Sequence, residues 1–156
     1  FKPGTIQVVV PTAANFTVTK NGDFITSNNM TITNNGTNSI DVIVQKFIDT
    51  NGNSGIKVQG KNVIDENNLS RSNISLNING NRGTAYLGSD NSKCGIYSDS
   101  NLNTLKEDGI LVSTVTGNSS NTLRLNGQAS KGTEIINEAI QDRFTLILKI
   151  KKSEKN

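Results

Sequence analysis

Apolar and polar residues alternate along most of this chain, and the alternation is clearest over residues 30–47. Met30 and Ile32 are spaced by Thr31 and Thr33, and Ile40, Val42 and Val44 are spaced by Asp41 and Ile43. A period of two places one set of side chains on one face of a sheet. Between the two runs lies Asn34-Asn35-Gly36-Thr37-Asn38-Ser39. Asn and Gly accept the positive φ that a chain reversal needs. The stretch therefore predicts two strands joined by a polar loop.

The same theme repeats along the chain. Strands are predicted over 5–10, 16–19, 56–59, 73–79, 84–87, 110–116, 122–125 and 143–151, with short polar runs between them. Ile74, Leu76 and Ile78 alternate ahead of Asn79-Gly80-Asn81-Arg82-Gly83, which reads as a hairpin turn. Residues 110–116 read as one arm of a second hairpin, turned at 117–121. Residues 49–55 read as a hairpin loop, with 56–59 as its return strand. Phe144, Leu146, Leu148 and Ile150 alternate in the most apolar run, which predicts a central strand. A helical turn is expected within 101–108. One short helix is expected from Thr133 to Asp142, with Thr133 as its N-cap and Ile135, Ile136, Ala139 and Ile140 as its apolar stripe.

Many short strands with turn signals between them imply an all-β fold, an antiparallel β-sandwich or jelly roll with that one helix. The expected organisation is an N-terminal strand within 1–11, a single β-sandwich domain over 12–152, and a frayed tail at 153–156.

Composition narrows the chemistry. The 156 residues are 33% hydrophobic and 4% aromatic, with no Trp, so the core must come from Ile, Leu and Val. The net charge is +3, and Lys and Arg are scattered apart from Lys149, Lys151, Lys152 and Lys155. Nucleic-acid binders cluster such charge, so no nucleic-acid partner is expected. With no His, a Ser-His-Asp or Cys-His nucleophile system cannot be built. Cys94 is the single cysteine and reads as a small buried or half-buried residue. Asp49, Asn51 and Asn53 resemble the opening of a calcium loop, but its sixth position is Ser54 and its twelfth is Gly60. No metal, no cofactor and no catalytic residue is predicted, and the chain reads as a non-enzyme. No apolar run approaches the ~18 residues that span a bilayer, so no membrane span is expected.

The run Thr5, Ile6, Gln7, Val8, Val9 and Val10 is β-prone and uncharged. Such a segment can pair with an open sheet edge, in its own subunit or in a neighbour. These six residues are the candidate subunit contacts. The runs IQVVVPTAANFTV, TITNNGTNSIDVIV and LRLNGQASKG, followed by RFTLILKIK, resemble the secreted β-sandwich surface proteins of Gram-positive bacteria. WxL-type wall-associated domains and fibre-forming subunits belong to that group. The WxL motif itself is absent, so no functional residue carries over. The resemblance implies an extracellular, cell-surface structural subunit that partners with itself in a filament or layer. The alternative is an adhesin-like module that binds a cell-surface glycan or protein, with Tyr86 and Tyr97 as the tyrosines available to stack on a sugar.

Overall fold

The computed structural model describes residues 8–9, 16–18, 24–26, 30–50, 56–60, 73–89, 94–130 and 144–153. Among them the chain forms strands β1 (Val8–Val9), β2 (Phe16–Val18), β3 (Phe24–Thr26), β4 (Met30–Asn34), β5 (Ile40–Asp49) and β6 (Lys57–Val58). Then follow β7 (Asn73–Asn79), β8 (Thr84–Gly88), β9 (Gly95–Tyr97), β10 (Ile110–Val115), β11 (Ser119–Ala129) and β12 (Phe144–Lys152). No helix occurs among the described residues. The helix expected from Thr133 to Asp142 lies outside them, as do Thr5, Ile6, Gln7 and Val10. The helical turn expected within 101–108 is instead a series of tight turns, with Leu105 bridged to Tyr97.

The fold is an antiparallel β-sandwich. A seven-stranded sheet runs β1-β4-β11-β7-β8-β9, with β6 beside β7, and a three-stranded sheet runs β10-β5-β12. A separate ribbon pairs β2 with β3. The inward residues of both sheets form one core. It includes Ile32 of β4, Val42 and Val44 of β5, Ile74 and Ile78 of β7, Leu87 of β8, Val112 of β10 and Leu123 of β11. These inward side chains are aliphatic and most alternate with polar outward ones, so the sequence pattern maps largely onto the two faces, with Ile43 of β5 an apolar exception on the outer side.

β5, not β12, is the central strand of the small sheet. β5 is paired on both sides and buries Ile40, Val42, Val44 and Phe47. β12 lies at the edge among the described residues, with Phe144, Leu146, Leu148 and Ile150 half-buried and Lys149, Lys151 and Lys152 exposed. An edge strand with one apolar face shows the same alternation as a central one, so its apolar content did not fix its place. Ser153, expected to begin the frayed end, is buried, and its N–H donates to the Ser39 carbonyl at 2.9 Å.

The β7–β8 hairpin forms as expected, with Leu76 opposite Leu87 and the Gly80 N–H donating to the Gly83 carbonyl at 3.0 Å. The other expected hairpins are different objects. β4 belongs to the large sheet and β5 to the small one, so the loop over 35–39 is an arch between sheets. β10 and β11 are likewise split between the sheets, and 116–118 forms a second arch. β6 pairs in parallel with β7, not with β5.

The two arches lie side by side and are organised by Asn34. The alternation of β4 buries Met30, Ile32 and then Asn34, which is fully enclosed. Its Nδ2 donates to the Asn38 carbonyl at 2.8 Å and to the Val115 carbonyl of β10 at 3.0 Å. Its Oδ1 accepts the Gly36 N–H at 3.0 Å. The side-chain amide therefore turns the loop, and Gly36 needs no positive φ. Across the gap, the Asn118 N–H donates to the Gly36 carbonyl at 2.9 Å. A Cβ on Gly117 would stand 2.3 Å from the Thr37 carbonyl oxygen, so the contact admits only glycine.

Asn34→Ala leaves buried peptide groups without partners and is expected to lower unfolding free energy by about 2–4 kcal/mol. Asn34→Asp, which removes both N–H donors, is expected to destabilise in the same direction. Urea unfolding followed by circular dichroism checks both, and an unchanged midpoint would remove Asn34 from its central role.

Candidate functional site

Two places could carry function, and the first is the candidate subunit-contact segment. Of its six residues, the structure describes Val8 and Val9. They form β1 at the edge of the large sheet, with Val8 opposite Asn34 and Val9 opposite Thr33. Val8 is half-buried against the core. β4 is paired with β11 as well, and the Thr33 and Ser120 hydroxyls meet across that pair at 2.9 Å, with Thr31 and Thr122 at 3.4 Å.

The second place is the outer face of the large sheet. β7 turns Ile74, Leu76 and Ile78 into the core, which leaves Ser75, Asn77 and Asn79 facing outward. β11 buries Leu123, Leu125 and Ala129 and turns out Arg124, Asn126 and Gln128. β8 buries Ala85 and Leu87 and turns out Tyr86. The register then places Asn126 opposite Asn77, Asn77 opposite Tyr86, and Tyr86 opposite Tyr97. One row of side chains crosses four strands. A half-open cleft of about 360 Å³ lies along this row, and its lining among the described residues carries no formal charge.

The polar groups of the row are unequally used. The Thr84 hydroxyl donates to Asn79 Oδ1 at 2.6 Å, and Asn79 Nδ2 donates to Asn77 Oδ1. That chain fixes the Asn77 amide with its oxygen engaged. The Tyr86 hydroxyl and the side-chain amides of Asn126 and Gln128 have no partner among the described residues. Tyr97 is buried, at 4% exposure, so its ring is closed to a ligand. Of the two tyrosines weighed from the sequence, Tyr86 alone lines the cleft. The amide row escaped the sequence reading, although its signal is present as Asn77 and Asn126 at the outward positions of two alternating strands.

The rim is set by the loop after β9. Asp99 Oδ1 accepts the N–H groups of Asn101 at 3.1 Å and Asn103 at 3.2 Å, and Oδ2 accepts that of Thr104 at 2.9 Å. This holds the neighbouring Ser100 at the cleft mouth. Gly60 lies directly against it with φ +107°, and a Cβ there would stand 2.6 Å from the Ser100 carbonyl oxygen. Only glycine fits both the backbone conformation and the approach. Partial burial pulls the Asp99 carboxyl upward. The backbone N–H groups of Asn103, Thr104 and Asn101, with the Thr104 hydroxyl, outweigh it and hold the pKa below 3.8.

Cys94 is exposed rather than buried or half-buried, because it precedes β9 instead of lying within it. Its thiol donates to the Phe47 carbonyl at 3.3 Å. Among the described residues no three His, Cys, Asp or Glu side chains come together, and no helix is long and apolar enough to cross a membrane. Compared with known proteins, the chain matches no family model, no curated sequence and no solved structure.

A carboxylate with a depressed pKa stabilises above its unfolded value and loses that contribution as pH falls through the folded one. The amide resonances of Asn101, Asn103 and Thr104 are therefore expected to titrate together with a midpoint below 3.8, and the Asp99 loop to loosen only under more acid conditions. Two-dimensional NMR across pH 2–6 checks this. A midpoint at or above the ordinary aspartate value contradicts it.

Proposed function

We propose that the chain is a non-enzymatic structural subunit of a bacterial cell-surface fibre or layer. In this reading, copies associate by exchanging the segment around Val8 and Val9. The observation that supports it is the way the edge of β4 is completed. That edge lies beside the keystone Asn34, and two residues of a separate segment cover it. The same segment from a second copy would offer β4 identical main-chain groups and the same Val8 side chain. Exchange therefore keeps every contact of the cis arrangement, which makes swapping a low-cost route to association. When such contacts run head to tail without closing, they build filaments.

The wider chemistry agrees with a structural role. A chain without His lacks the commonest general base. Its outer faces carry hydroxyls and amides, which keep a long assembly hydrated without strong mutual repulsion. The cadence shared with secreted Gram-positive surface proteins supports the extracellular setting.

The test compares the full chain with a variant lacking residues 1–10, by negative-stain microscopy and light scattering over a concentration series. Regular filaments are expected from the full chain and monomers from the variant. A peptide covering residues 1–11 is expected to bind the truncated protein and restore its thermal stability. A full chain that stays monomeric throughout, or a truncated one that assembles as well, overturns the reading.

A further inference from the structure

The geometry points to the cleft on the outer face of β7, β8 and β11 as a binding site for a neutral saccharide. This goes beyond the assembly reading. The cleft uses the second half of β11, whereas β4 pairs with the first half.

Three properties of the lining select the ligand. The first is charge, since no Asp, Glu, Lys or Arg lines the cleft among the described residues. An ionic ligand would find no counter-charge to offset its lost hydration. The second is hydrogen-bonding type. A carboxamide offers both an acceptor oxygen and an N–H₂ donor, and a phenol hydroxyl can do either. Asn126, Gln128 and Tyr86 present such groups with no partner among the described residues, and Asn77, its oxygen engaged, is left with donors. Vicinal sugar hydroxyls demand that mixture, because each must give and receive. The third is shape. At about 360 Å³ the cleft falls in the lower part of the range for small-ligand sites. It is half-open, so one or two sugar rings of a longer glycan can sit in it while the rest continues into solvent. Tyr86 supplies an apolar ring surface with a polar tip beside the amides, which suits the C–H face of a sugar.

Rigidity favours the same conclusion. The row is carried by paired strands, not by a loop, and the Thr84–Asn79–Asn77 chain orients its central amide. Ser100 at the mouth is fixed by the Asp99 loop and the close approach of Gly60. Binding groups held in place before the ligand arrives lose less freedom on binding.

The test is an NMR titration of the isotope-labelled full chain with cellobiose, maltose and N,N′-diacetylchitobiose, each to about 20 mM, as suits affinities on the order of 1 mM. At least one is expected to give saturable shifts centred on Gly60, Ser75, Asn77, Tyr86 and Gln128. Tyr86→Ala is expected to weaken that binding about tenfold or more. Asn126→Asp, an exposed change that keeps size and adds charge, is expected to weaken it as well, and well-dispersed spectra confirm that both variants fold. Removing residues 1–10 is expected to leave the titration unchanged, which separates this site from the assembly reading. Failure of all three sugars to saturate, shifts centred elsewhere, or a preference for a uronic-acid disaccharide overturns the inference.

Discussion

The buried carboxamide of Asn34 is the constraint on which the arrangement of the two sheets depends. An amide taken from water without partners costs about 2–7 kcal/mol, depending on the reference state. Asn34 escapes that cost because its donors and acceptor are met by Asn38, Val115 and Gly36. Val115 belongs to β10 in the small sheet, whereas Asn34 ends β4 in the large one. The amide thus ties the sheets together at one corner. It also fixes register, since a one-residue slip of β4 would expose Met30 and Ile32 along with Asn34. The end of the small sheet reaches the same corner, through the Ser153 N–H and the Ser39 carbonyl.

The edges of the sandwich are treated differently from one another. The free side of β10 is closed by the β7–β8 turn. Asn81 imitates a peptide unit there, accepting the Thr114 N–H at 2.9 Å and donating to its carbonyl at 3.0 Å. The Arg82 N–H adds a bond to the Val112 carbonyl at 2.9 Å, and its guanidinium reaches the Thr114 hydroxyl, which in turn donates to Asp41. β12 is blunted by its lysines, whose charge disfavours added strands. Among the described residues, the outer edge of β4 is filled by the two-residue segment β1. An edge that needs a strand, and receives a short one, is where exchange between copies has most to gain.

What the sequence made legible was the burial of side chains, and what it hid was which strands pair. Met30, Ile32, Ile40, Val42 and Val44 are all buried, as their alternation predicts. Alternation is a local property of one strand and holds whatever lies beside it. It therefore describes an arch and a hairpin in the same words, and 35–39 and 116–118 are arches. The β7–β8 connection, with its Asn-Gly-Asn-Arg-Gly turn, does join direct neighbours, and β2 and β3 are likewise paired with each other. Asn34 was hidden for a related reason. It occupies the third inward position of β4, but as a polar residue beside Asn35 and Gly36 it looks like the start of a loop. The bulge that brings Val112 and Ser113 inward together also breaks the two-residue period that sequence reading relies on.

The outward positions are free of the demands of the core, and the chain uses them in two ways. Where β4 meets β11, Thr33 with Ser120 and Thr31 with Thr122 face out and bond in cross-strand pairs, so each pair spends a donor and an acceptor within the sheet. Further along the same β11, Asn126 and Gln128 face out beside Asn77 and Tyr86, and among the described residues most of their side-chain polar groups have no partner. Cross-strand hydroxyl pairs would have stabilised this region equally well. Unpaired amides on a rigid sheet contribute nothing comparable to folding, because water satisfies them in the folded and unfolded chain alike. Their value is realised only when a ligand replaces that water with groups of matching geometry. The contrast within one strand is what separates the cleft from an ordinary hydrated face.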